Sequence, residues 1–466
     1  MAPARSAALP DGQVVAWYGD DLTGAAAVLE VLASAGMASV LFMDIPTEEE
    51  LAPYASWPGI GIAGTARHRD PLWMDAHLPE VFKFLSSLSA PIAHYKVCST
   101  FDSSPEVGSI GKAFELAQPM LGGEWTPLLV AAPPIGRYQS FGNLFAAADG
   151  VIYRLDRHPT MSRHPVTPMH EADLRVHLAA QTGTSIGLVD SVSLNTGRAL
   201  DTLQREINAG GRIISLDVTD DAMLLEVGQL IWETRGDRIL AIGSQGVEYA
   251  LVRYWHEMGL IEGEAPPVDL EPAKRFAAVS ASVSPVTASQ IDRAGKQGFE
   301  LIRMDVAASI DTMEWTLEID DVSSRAVECI EAGGSPIVYT ALGPDDPSVS
   351  ALSIEIDASG NSAAAIRERI GIGLGQVLNQ LIVEAEITRC AVVGGDTSGH
   401  VTRAIGVRTL TFLAPMGHAT SMMAADTGSG RSPMLEYTLK GGQMGSVDFF
   451  EAVRGLESSS RKERRT

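Results

Sequence analysis

Short apolar runs recur along the chain, and stretches of helical periodicity separate them. "VVAWYG" (14–19), "ASVLFM" (38–43), "GIGIAG" (59–64), "IAHYKV" (92–97), "PLLVAAP" (127–133), "SIGLVD" (185–190) and "RIISLDV" (212–218) have the length and content of buried strands. Between the first two lies "TGAAAVLEVLASAG", a small-residue helix pattern that stops on Gly36, as a C-terminal cap should. "RILAIGSQGVEYALVRYW" (238–255) repeats the strand, turn and helix order. A stretch rich in proline and charge, "EGEAPPVDLEPAKR" (262–275), then interrupts the pattern. Beyond it the alternation restarts with "FAAVSAS" (276–282), "FELIRMD" (299–305), "SPIVYTA" (335–341), "RCAVVGGDTSG" (389–399) and "TLTFLAP" (409–415).

Strands alternating with helices predict an α/β fold: two α/β domains with largely parallel sheets flanked by helices. The expected boundaries are 1–262 for the first domain, 263–275 for a linker and 276–455 for the second. A disordered tail is expected over 456–466. In sheets of this kind, ligands collect at the carboxyl ends of the strands, so the strand-end residues are the ones to inspect.

Composition narrows the function. The 466 residues carry a formal net charge of −23, which repels nucleic acid phosphates and argues against a DNA or RNA partner. The basic cluster "RKERRT" ends the chain and reads as a frayed terminus or an interaction arm. Cys98, Cys329 and Cys390 are too far apart for a disulfide framework or a zinc motif. No apolar run reaches membrane-spanning length, and the first residues lack the apolar core of a signal peptide. The expectation is a cytoplasmic protein with no membrane partner. Composition leaves a homodimer open.

In the first half, Asp20 and Asp21 close the first strand in "WYGDDLTGAAA". Either Asp21 or Thr23 can cap the following helix, which accounts for one carboxylate but not for the second. The second suits hydrogen bonding to a hydroxyl, or removing its proton. "HYKVCSTFDSSPEVGSIG" follows another strand and offers Lys96, Ser99, Thr100 and Asp102. Such a loop suits a ligand with a carboxylate and several hydroxyls, and it also suits an ordinary capped turn. Arg67 in "TARHRD" and Arg137 in "APPIGRYQSFGNLF" add cations just after strands. His158, His164 and His170 fit neither one helix face nor a metal-ligand spacing.

In the second half, "AVVGGDTSGHVTRAIGV" runs from a strand into Gly394, Gly395, Asp396, Thr397, Ser398 and Gly399, with a helix expected from His400. Glycines admit a close ligand, and the helix-start amides with the Thr397 and Ser398 hydroxyls suit phosphate oxygens. Asp396 suits Mg2+, held through water. The pattern is neither a P-loop nor a dinucleotide fingerprint, and a capped glycine turn would look the same. "VSASVSPVTASQI" adds Ser282, and "TLKGGQMGSVDFF" adds Lys440 beside Gly441 and Gly442. Three such strand-end or glycine-loop segments favour a nucleotide over coincidental turns.

Taken together, "GDDLTGA", "KVCSTFDSS…GSIG", "HPVTPMHEADL", "GGDTSGHVTRAIGV" and "KGGQMG" resemble, in the same order, the four-carbon acid sugar kinases. The resemblance spans about residues 14–450, and the "CSTFDS" wording is closest to the 3-oxo-tetronate branch. It implies an ATP-dependent kinase that uses Mg2+ and phosphorylates the 4-hydroxyl of a threonate, erythronate or 3-oxo-tetronate type acid. It also implies an N-terminal sugar-acid domain, a C-terminal nucleotide domain and an active site in the interdomain cleft. By the same resemblance Asp20 and Asp21 are catalytic, with either one as the base. The resemblance also sets Lys96, Ser99, Thr100 and Asp102 against the substrate; from their own positions Thr23, Gly24 and Arg137 are expected there too, with Lys96 and Arg67 anchoring the carboxylate. Ser282, Gly394 to Gly399, Lys440, Gly441 and Gly442 hold ATP. A non-catalytic sensor of sugar acid and nucleotide, or a metal-dependent aldolase or epimerase, are the rival readings.

Overall fold

The computed structural model describes residues 8–455 apart from 149, 165, 264–269, 418–419, 429 and 431–433. The expected tail lies wholly outside these residues and the expected linker partly so. The chain divides into two compact units, Met1–Pro266 and Pro267–Thr466.

In the first unit the strands are β1 (Val15–Gly19), β2 (Ser39–Phe42), β3 (Gly59–Ala63), β4 (Ile92–Lys96), β5 (Thr126–Leu129), β6 (Arg137–Ser140), β7 (Asn143–Ala148), β8 (Val151–Arg154), β9 (Ile186–Val189), β10 (Ile213–Leu216) and β11 (Ile239–Gly243). Eight of them form a parallel sheet in the order β2-β3-β1-β4-β11-β5-β10-β9. Every residue of β1, β3, β4 and β11 is buried. Successive side chains face opposite sides, so both faces of these strands are covered, and that is why they read as unbroken apolar runs. The helix Leu22–Ser34 packs on β2 and β3 and ends ahead of Gly36, which has a φ of +80°.

The strands β6, β7 and β8 form a separate antiparallel meander. No apolar run in the sequence announces these strands, and a proline turn leads into them. The turn exists, Pro133–Ile135, and Gly136 follows it in the left-handed region at φ +69°. A tight hairpin joins β6 to β7 through Phe141 (φ +49°) and Gly142 (φ +81°). Two successive positive φ values suit the twist of a two-residue hairpin. Asp217 holds the strained turn by accepting from the amides of Phe141 and Gly142, and also from that of Ser191. His158 and His164 serve local turns, accepting amide protons from Thr160, Met161 and Thr167.

The second unit has β12 (Phe276–Ser280), β13 (Glu300–Arg303), β14 (Pro336–Tyr339), β15 (Arg389–Val393), β16 (Thr409–Gly417), β17 (Thr420–Asp426) and β18 (Leu435–Lys440). Their order is β13-β14-β12-β15-β18-β17-β16, parallel as far as β18 and antiparallel beyond it. A core that includes Phe276, Phe299, Phe449 and Phe450 packs beneath this sheet. No helix among the described residues is long and apolar enough to cross a membrane.

Candidate active site

Each unit gathers predicted residues at the carboxyl ends of its parallel strands. In the first unit, Asp20 and Asp21 follow β1 directly. Asp21 is the helix cap: its Oδ1 accepts from the Gly24 amide at 2.9 Å and its Oδ2 from the Thr23 hydroxyl at 2.5 Å. One nitrogen of Arg67, Nη2, reaches both carboxylates, at 2.6 Å from Asp20 Oδ1 and 2.7 Å from Asp21 Oδ1. Arg67 is brought there by the turn after β3, where its amide donates to the Asp20 carbonyl.

Lys96 ends β4, the neighbour of β1, and is almost fully buried. Its ammonium donates to the Val97 carbonyl at 2.7 Å. A Cβ added at Gly24 would lie 2.5 Å from Asp21 Oδ1 and 2.9 Å from Lys96 Nζ. A side chain at Gly24 would push these two charged groups out of place. Two carboxylates face two cations, so the cluster is close to neutral and its burial is tolerable.

The two aspartates nevertheless differ. Burial raises the Asp20 carboxyl above its ordinary range, and Arg67 opposes the shift without cancelling it. At Asp21 burial pushes the same way, but Arg67, Lys96 and the bonds from Thr23 and Gly24 outweigh it and leave that carboxyl below its usual value. Asp20 Oδ2 has no hydrogen bond among the described residues. Asp20 is therefore the carboxylate with an oxygen to spare and the greater affinity for a proton.

The loop after β4 carries Ser99, Thr100 and Asp102 on a strained turn at Phe101, a buried residue with φ +58°. Thr100 donates to Asp102 Oδ1 at 2.8 Å and contacts the Cys98 sulfur at 3.0 Å. Ser103 fixes the loop from behind: its hydroxyl bonds the Phe101 carbonyl, Gln181 Nε2 and His177 Nε2. Gln181 and His177 lie more than 70 residues further along the chain, and no local signal marked them. Arg137 starts β6, buried, and its Nη1 meets the carbonyls of Ile135, Gly136 and Ala147.

In the second unit β15 runs into Gly394, whose φ of +145° lies outside the range of ordinary residues. A Cβ there would also stand 2.7 Å from Thr397 Oγ1. The helix begins at Asp396 rather than at His400, because Gly395 already serves as its N-terminal cap. This draws Thr397, Ser398 and Gly399 into the first turn, where the amides of residues 396 and 397 have no helical partner and that of Ser398 donates to the Gly395 carbonyl. Ser398 is buried, and its hydroxyl donates to the Gly394 carbonyl, so here it shapes the turn instead of offering an oxygen outward. The Asp396 side chain, expected to reach Mg2+, lies outside the described residues.

Ser282 follows β12, and Gly442 lies against it and against Ser284. Lys440 is the last residue of β18, 1% exposed, and donates to Thr287 Oγ1 and to the Gly441 carbonyl, both at 3.2 Å. It makes no ion pair among the described residues, and burial lowers its ammonium to about 7. Thr287 and Gln290, one helical turn apart, hold the glycine loop. Thr287 donates to the Gly442 carbonyl, and the Gln290 amide faces the carbonyls of Met444, Gly445 and Ser446. Free helix-start amides, a cradle that a Cβ would fill and a buried cation without a carboxylate fit a phosphate chain.

Comparison with known proteins agrees with this division of labour. Residues 15–251 match the family described as "Sugar-binding N-terminal domain", and residues 277–450 match "Nucleotide-binding C-terminal domain". A 3-oxo-isoapionate kinase of Paraburkholderia graminis is 43% identical over 451 residues, covering 97% of this chain and 96% of its own. A 3-oxo-tetronate kinase of Pseudomonas savastanoi pv. phaseolicola is 28% identical, covering 95% and 97%. The crystal structure of Haemophilus influenzae protein HI1011 shares the fold at a TM-score of 0.67 and 21% identity, covering 94% of this chain and 99% of that one. Sugar binding in one unit and nucleotide binding in the other define a small-molecule kinase. The chain belongs to the four-carbon acid sugar kinase family, whose members transfer phosphate from ATP, with Mg2+, to a sugar acid.

Proposed function

We propose that this protein phosphorylates the terminal hydroxyl of a 3-oxo sugar acid, with Asp20 as the base. In a four-carbon acid this is the 4-hydroxyl. 3-Oxo-isoapionate is the favoured substrate and 3-oxo-tetronate the second, following the names and identities of the two relatives. The observation that carries the reading is the unshared oxygen of Asp20, at the end of β1 and beside a neutralising Arg67.

The hydroxyl oxygen forms a bond to the γ-phosphorus of ATP as the bond to the ADP oxygen breaks, and the hydroxyl proton passes to Asp20 Oδ2. A raised affinity for protons suits that acceptor at neutral pH. Asp21 stays ionised, caps the helix and holds Arg67 in place. Lys96 and Arg67 balance the two carboxylates until the proton reaches Asp20. On the nucleotide side, the amides at residues 396 and 397, Ser282 and Lys440 are the groups offered to the phosphates. Mg2+ on the nucleotide supplies further neutralisation of its oxygens. A cytoplasmic setting, where ATP is supplied, belongs to the same reading. Family membership favours this enzyme over a non-catalytic sensor and over a metal-dependent aldolase or epimerase.

The test is a coupled ADP-release assay against 3-oxo-isoapionate, 3-oxo-tetronate, D- and L-threonate and D-erythronate. The expected result is the highest kcat/KM with a 3-oxo acid. ADP release that no sugar acid accelerates would overturn the assignment.

A further inference from the structure

The kinase reading leaves one strong group in the first unit without a task. Arg137 is 8% exposed, yet it has no carboxylate within ion-pair distance among the described residues. Its Nη1 meets only backbone carbonyls, at 3.3 to 3.5 Å, the long end of the hydrogen-bond range. Its Nε is buried without a partner, and its Nη2 forms no hydrogen bond among the described residues either. These two nitrogens are the edge by which a guanidinium grips a carboxylate in two parallel bonds. A buried cation is costly unless an anion compensates it. Asp102 lies within electrostatic reach but gives its Oδ1 to Thr100.

The position of Arg137 suits a ligand that also meets Asp20. The sheet order β1-β4-β11-β5 puts three strand spacings, about 14 Å, between the strand before Asp20 and the strand that leads to Arg137. The Arg137 backbone pairs with Ala132, just past the end of β5. The Cys98 loop after β4 lies between, within electrostatic reach of Arg67 on one side and Arg137 on the other. An extended four-carbon acid with a hydrogen bond at each end spans roughly 12 Å. An arginine side chain leaning toward that loop covers the remainder.

Charge decides between the candidate anchors. Arg67 already serves two aspartates, and Lys96 completes their neutralisation, so a third carboxylate arriving there would be in excess. Arg137 carries the uncompensated charge. We propose that Arg137, and not the Arg67–Lys96 pair, binds the carboxylate of the sugar acid through its Nε–Nη2 edge. The acid then lies across the Cys98–Thr100 segment with its terminal hydroxyl at Asp20. This rests on the sugar-acid reading and adds the direction in which the substrate lies.

The experiment measures calorimetric binding of 3-oxo-tetronate, of D-threonate and of D-threonamide, in which a neutral amide replaces the carboxylate. The proteins are wild type, Arg137→Met and Arg137→Lys, each with its melting temperature. Wild type is expected to prefer threonate to threonamide by about 100-fold, the worth of a bidentate charged contact. Arg137→Met should lose about that factor for both acids, bind the amide within threefold of wild type and melt no lower than wild type. Arg137→Lys should fall between the two. Equal losses for acid and amide would mark a purely structural role and overturn the proposal, as would unchanged acid binding in Arg137→Met. Failure of wild type to bind either acid overturns it together with the functional reading. Acid binding that depends on Arg137 in a protein without ATP turnover upholds it while the kinase reading falls.

Discussion

The two candidate sites are built from opposite materials. The first unit brings charged side chains into its interior and balances them against one another: Asp20 and Asp21 against Arg67 and Lys96. The second unit relies on backbone amides, glycines and hydroxyls, with Lys440, which makes no ion pair among the described residues. A sugar acid must be distinguished from its near relatives, which requires groups fixed to particular oxygens. A triphosphate needs many weak donors and little discrimination. The charged cluster should therefore control kcat, and the amide cradle should control nucleotide affinity.

The sharpest way to break this contrast is to separate the two aspartates. Asp20→Asn is expected to lower kcat by about 10²- to 10⁴-fold while leaving the ATP KM near its original value. Asp21→Asn keeps a side chain that can cap, so its loss should be smaller. Steady-state kinetics on both variants checks this, and a larger loss for Asp21→Asn would reverse the assignment of the base. The next largest effect is expected at Lys440. Lys440→Met should raise the ATP KM by about 10- to 100-fold, as loss of a charged hydrogen bond does, and leave the sugar-acid KM unchanged.

The remaining effect is thermodynamic and leaves turnover aside. Folded Lys440 loses its proton near pH 7, whereas an unfolded lysine keeps it to about 10.4. Between these values the unfolded chain binds more protons, so this residue makes stability rise with pH from about 7 to about 10. The melting temperature of the nucleotide-free protein, measured over that range against Lys440→Met, should show the rise in the lysine protein only.

Much of this was readable from residue order. β1, β3, β4 and β11 stand out because both of their faces are buried, which leaves an unbroken apolar run. Arg67 and Lys96 emerge from the rule that ligands gather at strand ends, although 46 residues separate Asp21 from Arg67. The meander β6–β8 was missed because its strands are short and β8 is largely exposed, so no apolar run marks them. "TLKGGQMG" looked like a loop, and the structure makes Lys440 the end of a strand. Thr287 and Gln290 escaped notice for a different reason. Their role exists only through a glycine loop about 155 residues away, and one helix face of polar residues looks like any solvated face until that loop is in place.

The Gln290 side chain carries two hydrogens on its amide nitrogen but stands within 3.2 Å of three carbonyl oxygens, those of Met444, Gly445 and Ser446. One acceptor is always in surplus. Three successive peptide groups thus share one donor, so the segment beyond Lys440 is held by a set of bonds in which no single one is indispensable.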